Sequence, residues 1–244
     1  MRDCAVNKIK SVYQPIWNLN NWNIFGYEAF LTFPDSQLNG DIEKVFELAR
    51  GKGCLYELNI KAILNAITCF PIERLDDSLI FVNLFPSTLI HHQFEKFVER
   101  LLKQYPQIQE KVVFQINHTP SEKHIWDLPD LKDKINMLKK NGFDVALYGV
   151  GNGTAVLQQI VDFSASYIKL DRHFTKELYR SKEKQHIVSL LVQYAKQQIT
   201  IILEGIEKEM DLAKAKLLKV PVGQGNLLGK PEKSAVHTIE DIFR

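Results

Sequence analysis

The feature that most constrains this chain is a rhythm of short, continuously apolar runs separated by longer stretches with helical spacing. LIFVNL (79–84), KVVFQI (111–116), FDVALYG (143–149), YIKLD (167–171) and TIILEG (200–205) are apolar on neighbouring residues, not on alternate ones. A strand written this way is covered on both faces, as in a mainly parallel sheet with helices packed outside. Helical spacing fills the intervals, around Phe94 to Leu101, Asp130 to Lys140, Thr154 to Ile160, His186 to Gln197 and Lys208 to Leu218. VPVGQG (220–225) reads as a short last strand. Upstream, SVYQPIW (11–17) and NIFGYEAFL (23–31) flank the polar turn NLNNW and read as a hairpin. Asp41 is expected to cap a following helix through Val45, Phe46, Leu48 and Ala49, GKG (51–53) breaks it, and a second helix covers about Tyr56 to Thr68.

Roughly seven or eight such strand-helix units fit one closed (β/α)8 barrel of ordinary size. An open doubly wound sheet is the alternative, but GVGNG (149–153) lacks the spacing of a nucleotide-binding glycine loop. The chain has 244 residues and no linker-like segment, so the expected organisation is a tail over 1–10 and one domain over 11–244. A net charge of +2 gives no basis for a nucleic-acid polymer as partner. Cys4, Cys54 and Cys69 form no CxxC pair and fit a reducing compartment. The start lacks a signal-peptide pattern and no run reaches the ~20 apolar residues of a membrane span. A cytoplasmic, soluble protein is expected.

Polar residues recur in or beside the apolar strands: Glu28, Asn83, Gln115, Lys169, Asp171, Glu204 and Gln224. Each costs on the order of 1–3 kcal/mol if buried without a partner. Their recurrence on successive strands points to convergence at the C-terminal mouth of the barrel, where such folds place their chemistry.

The order of the motifs QPI (14–16), YEAF (27–30), NLFP (83–86), IKLD (168–171), EGIE (204–207) and QGNLLGKP (224–231) resembles the EAL family of bacterial cyclic di-GMP phosphodiesterases. The resemblance implies a modified (β/α)8 barrel with an antiparallel strand near its start. It also implies a site in which carboxylates and one amide hold two divalent metals that activate water against a phosphodiester. Hard cations require oxygen ligands, mostly anionic. The family's motif glutamate, its asparagine and its second glutamate correspond to Glu28, Asn83 and Glu204. The acidic residue of the LEITE-like motif corresponds to Gln115, that motif's second glutamate to His118, and the DDFG aspartates to Tyr148 and Gly149.

The resemblance therefore implies remnants of a catalytic site (Glu28, Asn83, Lys169, Glu204) with metal ligands lost at Gln115, Tyr148 and Gly149. Unit charges about 4 Å apart interact by about 4 kcal/mol at an effective dielectric of ~20, and a tenfold change needs only about 1.4 kcal/mol. Losing three anionic ligands leaves no expected cofactor, with Mg²⁺ or Mn²⁺ entering only if residual activity exists. Lys169 either pairs with Glu28 or Glu204 or receives a phosphate. The family's ligand-groove positions correspond to Gln14, Asn83, Lys169, Asp171, Glu207, Gln224 and Pro231. Against nucleotide binding, Thr32 stands where the family has a phosphate-gripping arginine, and Lys230 offers only a point charge.

These residues lead to a catalytically inactive regulatory domain acting through contacts with another signalling protein, with weak or lost cyclic di-GMP binding. The alternatives are a non-hydrolysing cyclic di-GMP receptor, a phosphodiesterase with a depleted metal site, and a barrel enzyme using Glu204 and Lys169 on another substrate. His91 and His92 are expected at a solvated helix start, and His118 and His124 on the surface. Ile187, Leu190, Leu191 and Tyr194 have core spacing, and an exposed Trp17 or Trp22 would mark a partner surface.

Overall fold

The computed structural model describes residues 9–33, 42–71, 78–150, 156–195 and 198–233. The barrel begins with the expected hairpin. Strand β1 (Lys10–Asn18) pairs antiparallel with β2 (Ile24–Thr32). The Asn18 side chain accepts from the Asn20 amide at 2.9 Å in the turn, the local bond that makes asparagine a turn former. Strands β3 (Leu79–Leu84), β4 (Val112–Asn117), β5 (Asp144–Val150), β6 (Tyr167–Leu170), β7 (Thr200–Leu203) and β8 (Val222–Gln224) follow. The strand order β1 to β8 closes on itself. Pairs from β2 to β8 are parallel, and β1 is antiparallel to both of its neighbours. The apolar runs thus lie within a residue or two of the observed strands.

Among the described residues the helices are α1 (Ile42–Gly51), α2 (Leu55–Thr68), α3 (Pro86–Leu89), α4 (Phe94–Gln104), α5 (Pro129–Lys140), α6 (Val156–Phe163), α7 (Arg172–Thr175), α8 (Lys182–Ala195) and α9 (Glu209–Leu217). Pro86 and Pro129 open α3 and α5, where a missing N–H costs nothing. Asp41 as a cap, the start of the helix expected from Thr154, and the terminal helix expected over the last dozen residues lie outside the described residues.

Two apolar layers hold the fold. The outer one packs helix faces such as Phe94, Phe97 and Leu101 against outward strand residues such as Ile80, Val82 and Phe114. The inner one fills the barrel with Ile16, Phe81, Val113, Ala146, Ile202 and Val222.

Some expectations change. On α8 the buried residues are Val188, Leu191, Val192 and Ala195, whereas Leu190 is 65% and Tyr194 57% exposed, with Ile187 also exposed. That helix is apolar on more than one face, so spacing alone cannot choose the face that packs. Trp17 is buried and donates to the Leu228 carbonyl at 2.9 Å, so it marks no outer surface. Cys54 is disulfide-bonded and Cys69 is free and exposed; the lack of a CxxC pattern did not reveal this bond. No described helix is long and apolar enough to cross a membrane.

Candidate functional site

A step of two residues along an inward-facing strand goes from the apolar plug to a polar layer above it. Phe81 leads to Asn83, Val113 to Gln115, Ala146 to Tyr148, Ile202 to Glu204 and Val222 to Gln224. The two-residue period keeps each pair on the same face of its strand. On antiparallel β1 the step runs backwards, from Ile16 to Gln14. Glu28 on β2 and Lys169 on β6 complete the layer.

Glu28, 2% exposed, is the hub. Its Oε1 accepts from Gln115 Nε2 at 2.9 Å, and its Oε2 accepts from Gln224 Nε2 at 2.8 Å and from Lys169 Nζ. Gln115 Nε2 also donates to Asn83 Oδ1 at 3.0 Å, so one amide nitrogen bridges two oxygens. Gln224 Nε2 reaches Gln14 Oε1 at 3.0 Å. Gln14 in turn donates to the Gly229 carbonyl at 2.9 Å and to Asn226 Oδ1 at 3.2 Å, which fastens the QGNLLGKP segment to the layer.

Lys169 is fully buried and pairs with Glu28, with Glu204 Oε2 at 3.8 Å. Its ammonium lies 5.1 Å from the centre of the Tyr148 ring. Burial raises the Glu204 carboxyl above its usual range; Lys169 opposes this and the charge of Glu28 adds to it. Burial, then Glu204, Glu28 and Asp171, push the Tyr148 phenol upward. Tyr148 stays protonated and donates to Glu204 Oε1 at 3.4 Å.

Two supporting residues escaped the sequence. Asn59, fully buried on α2, donates to the Asn83 carbonyl at 2.9 Å and accepts from the Phe85 amide at 3.0 Å, fixing the end of β3. A polar residue inside the apolar pattern of that helix was the available signal. Glu122, 2% exposed, accepts from Arg50 Nη2 at 3.0 Å, the Ser87 amide at 3.1 Å and Ser87 Oγ at 2.7 Å. It pins the segment after β4 to α1 and α3, and no local pattern announces it. His118 is not a surface residue: it is half-buried and packs on Trp126 at 5.0 Å. Burial lowers its pKa, favouring the neutral ring. His124 is exposed, and His91 stacks on Tyr56 at 3.9 Å in the turn before α4.

Beside the polar layer opens a cavity of about 660 Å³. Its walls are faces of α1 and α2, the ends of β2 and β3, and residues 117–121, with Tyr148, Gly149 and Asp171 at one side. Asp171 also caps α7, accepting from the His173 amide at 2.7 Å. The expected ligand positions Glu207 and Pro231 stand apart from the layer, as do Lys230 and Thr32, the two positions read against nucleotide binding. Glu207, Lys230 and Pro231 are exposed, and Thr32 Oγ1 donates to the Lys10 carbonyl at 3.2 Å. Among the described residues no group of three or more His, Cys, Asp or Glu is arranged to hold a metal ion.

An eight-stranded barrel with one antiparallel strand and a polar layer at its C-terminal mouth defines the class. The sequence supplies the family: the EAL domain matches residues 1–231, and the chain belongs to that family. It is 28% identical over 155 residues, 63% of this chain, to the probable cyclic di-GMP phosphodiesterase PdeA of Escherichia coli. It is 23% identical over 93% of this chain to the blue light- and temperature-regulated antirepressor BluF of the same organism. The chain spans 21% of the first relative's length and 55% of the second's. Its fold is that of the FimX EAL domain of Pseudomonas aeruginosa, solved bound to c-di-GMP, with a TM-score of 0.83 at 21% identity over 96% of this chain and 95% of that one.

Proposed function

We propose that this domain is a non-hydrolytic regulatory EAL barrel that acts by contacting another signalling protein and has weak or no affinity for cyclic di-GMP. The observation that carries the reading is the Gln115 amide nitrogen, 2.9 Å from Glu28 and 3.0 Å from Asn83. An N–H donor engages the oxygen lone pairs that a hard cation needs, and Lys169 adds a unit positive charge on the same carboxylate. A cation brought within about 4 Å of that ammonium meets about 4 kcal/mol of repulsion per unit charge at an effective dielectric of ~20. The residues present do not fit a pair of divalent cations.

Thr32 and the exposed Lys230 leave the phosphates without an arginine fork. Contact with a protein is supported by the exposed apolar stripe on α8 and by the relative named as an antirepressor. Calorimetric titration with cyclic di-GMP is expected to be silent at micromolar concentrations. Binding at micromolar affinity or tighter replaces this reading with that of a receptor. Formation of the linear dinucleotide with Mg²⁺ or Mn²⁺ replaces it with that of a phosphodiesterase.

A further inference from the structure

The cavity beside the polar layer has a composition of its own. At about 660 Å³ it has the size of a small-molecule site. Its apolar lining includes Phe46 of α1, Ala62 and Ile63 of α2, and Phe85 after β3. Ala62 and Ala66 of α2 are small side chains in this wall. Tyr148 closes one side with a protonated phenol.

The charges of the lining are of one sign once the internal pairs are set aside. Arg50 is matched by Glu122 at 3.0 Å. Glu28, which reaches the cavity from the polar layer, is matched by Lys169. Glu43 and Glu47, exposed on α1, and Asp171 line the cavity with no cation paired to them among the described residues. His118 is held toward its neutral form by burial.

The chain itself already sets cations against these aromatic walls. The Arg50 guanidinium lies 5.6 Å from the centre of the Phe85 ring, and the Lys169 ammonium 5.1 Å from that of Tyr148. Such contacts are favourable when the cation is desolvated. Asn117 Oδ1, an acceptor in the same wall, has no hydrogen-bond partner among the described residues. An unpaired acidic rim repels a phosphodiester and attracts a positive charge. An aromatic wall suits a flat ring.

We propose that the cavity is a binding site for a small, flat, positively charged aromatic compound. The inference rests on the reading that this mouth has given up its anionic nucleotide. It predicts a ligand of opposite charge in nearly the same place.

The test uses the whole chain and three dyes at low ionic strength. Proflavine is a flat cation, acridine at pH 8 is a flat uncharged ring of similar shape, and anilinonaphthalene sulfonate is an anion. Fluorescence titration is expected to give one saturable proflavine site, with acridine at least fivefold weaker and the anion without a saturable phase. Affinity for proflavine should fall as salt rises. Glu43→Gln with Glu47→Gln should weaken proflavine about threefold to tenfold and leave acridine unchanged. Ala62→Trp should fill the cavity and weaken both at least tenfold, with far-ultraviolet circular dichroism as the check on folding. If Ala62→Trp does not fold, the double glutamine variant, at exposed positions, decides alone.

Tighter binding of the anion, equal binding of acridine, or no effect of the glutamines overturns the proposal. Silence of proflavine and cyclic di-GMP together overturns this inference and leaves the loss of nucleotide binding standing. Saturable binding of both, in competition, overturns that loss and leaves the cation site standing.

Discussion

Lys169 is the residue on which the mouth of the barrel depends. It is fully buried between Glu28 and Glu204, and removing one member of a buried ion pair leaves an uncompensated charge. Lys169→Met should destabilise the fold by about 3–5 kcal/mol, read as a lower urea midpoint with unchanged slope. Glu204 predicts the reverse. Its folded pKa is raised, mainly by burial. Its stabilising contribution is therefore complete below the unfolded carboxylate value of about 4.3 and lost as pH rises through the raised value. Glu204→Gln should match the parent near pH 4 and become progressively more stable relative to it toward neutral pH, in paired denaturation curves. At Gln115, a carboxylate alone would replace a bridging donor with a charge facing Glu28. Gln115→Glu should lower stability and give no robust hydrolysis. Restoring acids at 115, 148 and 149 together should raise Mn²⁺ affinity measured calorimetrically. Gly149 has room for the side chain, since an added Cβ would sit 3.5 Å from the His118 carbonyl. Its φ of +82 adds strain of about 1 kcal/mol. Most of the polar layer was legible because polar residues such as Asn83, Gln115, Lys169 and Gln224 interrupt or end otherwise apolar strands. Glu122 was not, because its partners come from α1 and the start of α3 and no local pattern joins them.

At the scale of elements, the loop after β7 and the turn after β8 are fitted without clearance. A Cβ on Gly225 would lie 2.2 Å from the Ile206 carbonyl oxygen. The same contact region holds the Ile206 amide on the Gln224 carbonyl at 3.0 Å and the Leu227 amide on the Ile206 carbonyl at 3.1 Å. Gly225→Ala should push the two segments apart and withdraw Gln224 from Glu28. A loss of about 1–3 kcal/mol or more is expected, measurable as a fall in thermal midpoint. The strands were readable because burial on both faces writes a continuous apolar run. The short α3 and α7 were not, because a single turn has no period to detect. Helix α8 shows a different limit, since a helix apolar on two sides leaves its rotation to the packing of its neighbours.

For the whole molecule, closure of the ring and family membership were both legible, since each rests on many elements in order. Charge balance at the mouth was legible only in part. The missing arginine at Thr32 could be read from a motif, whereas the unmatched acids of α1 required the helix to be set beside the cavity. A ligand at one hundred times its dissociation constant stabilises a fold by about 2.7 kcal/mol. Under the proposed function, cyclic di-GMP at 100 μM should leave the thermal midpoint unmoved. A rise of several degrees would contradict that.

Strand β1 also serves as a clasp. Its Tyr13 exchanges backbone bonds with Glu232, N to O at 2.7 Å and O to N at 3.0 Å, beside the Gln14 bonds to Gly229 and Asn226. Mechanically, β1 and Glu232 share one anchorage. A tug on residues beyond Glu232 would load its two backbone bonds to Tyr13 first and then the Gln14 bonds to Gly229 and Asn226. From there tension passes to Gln224 and Glu28 through side-chain amides arranged in series.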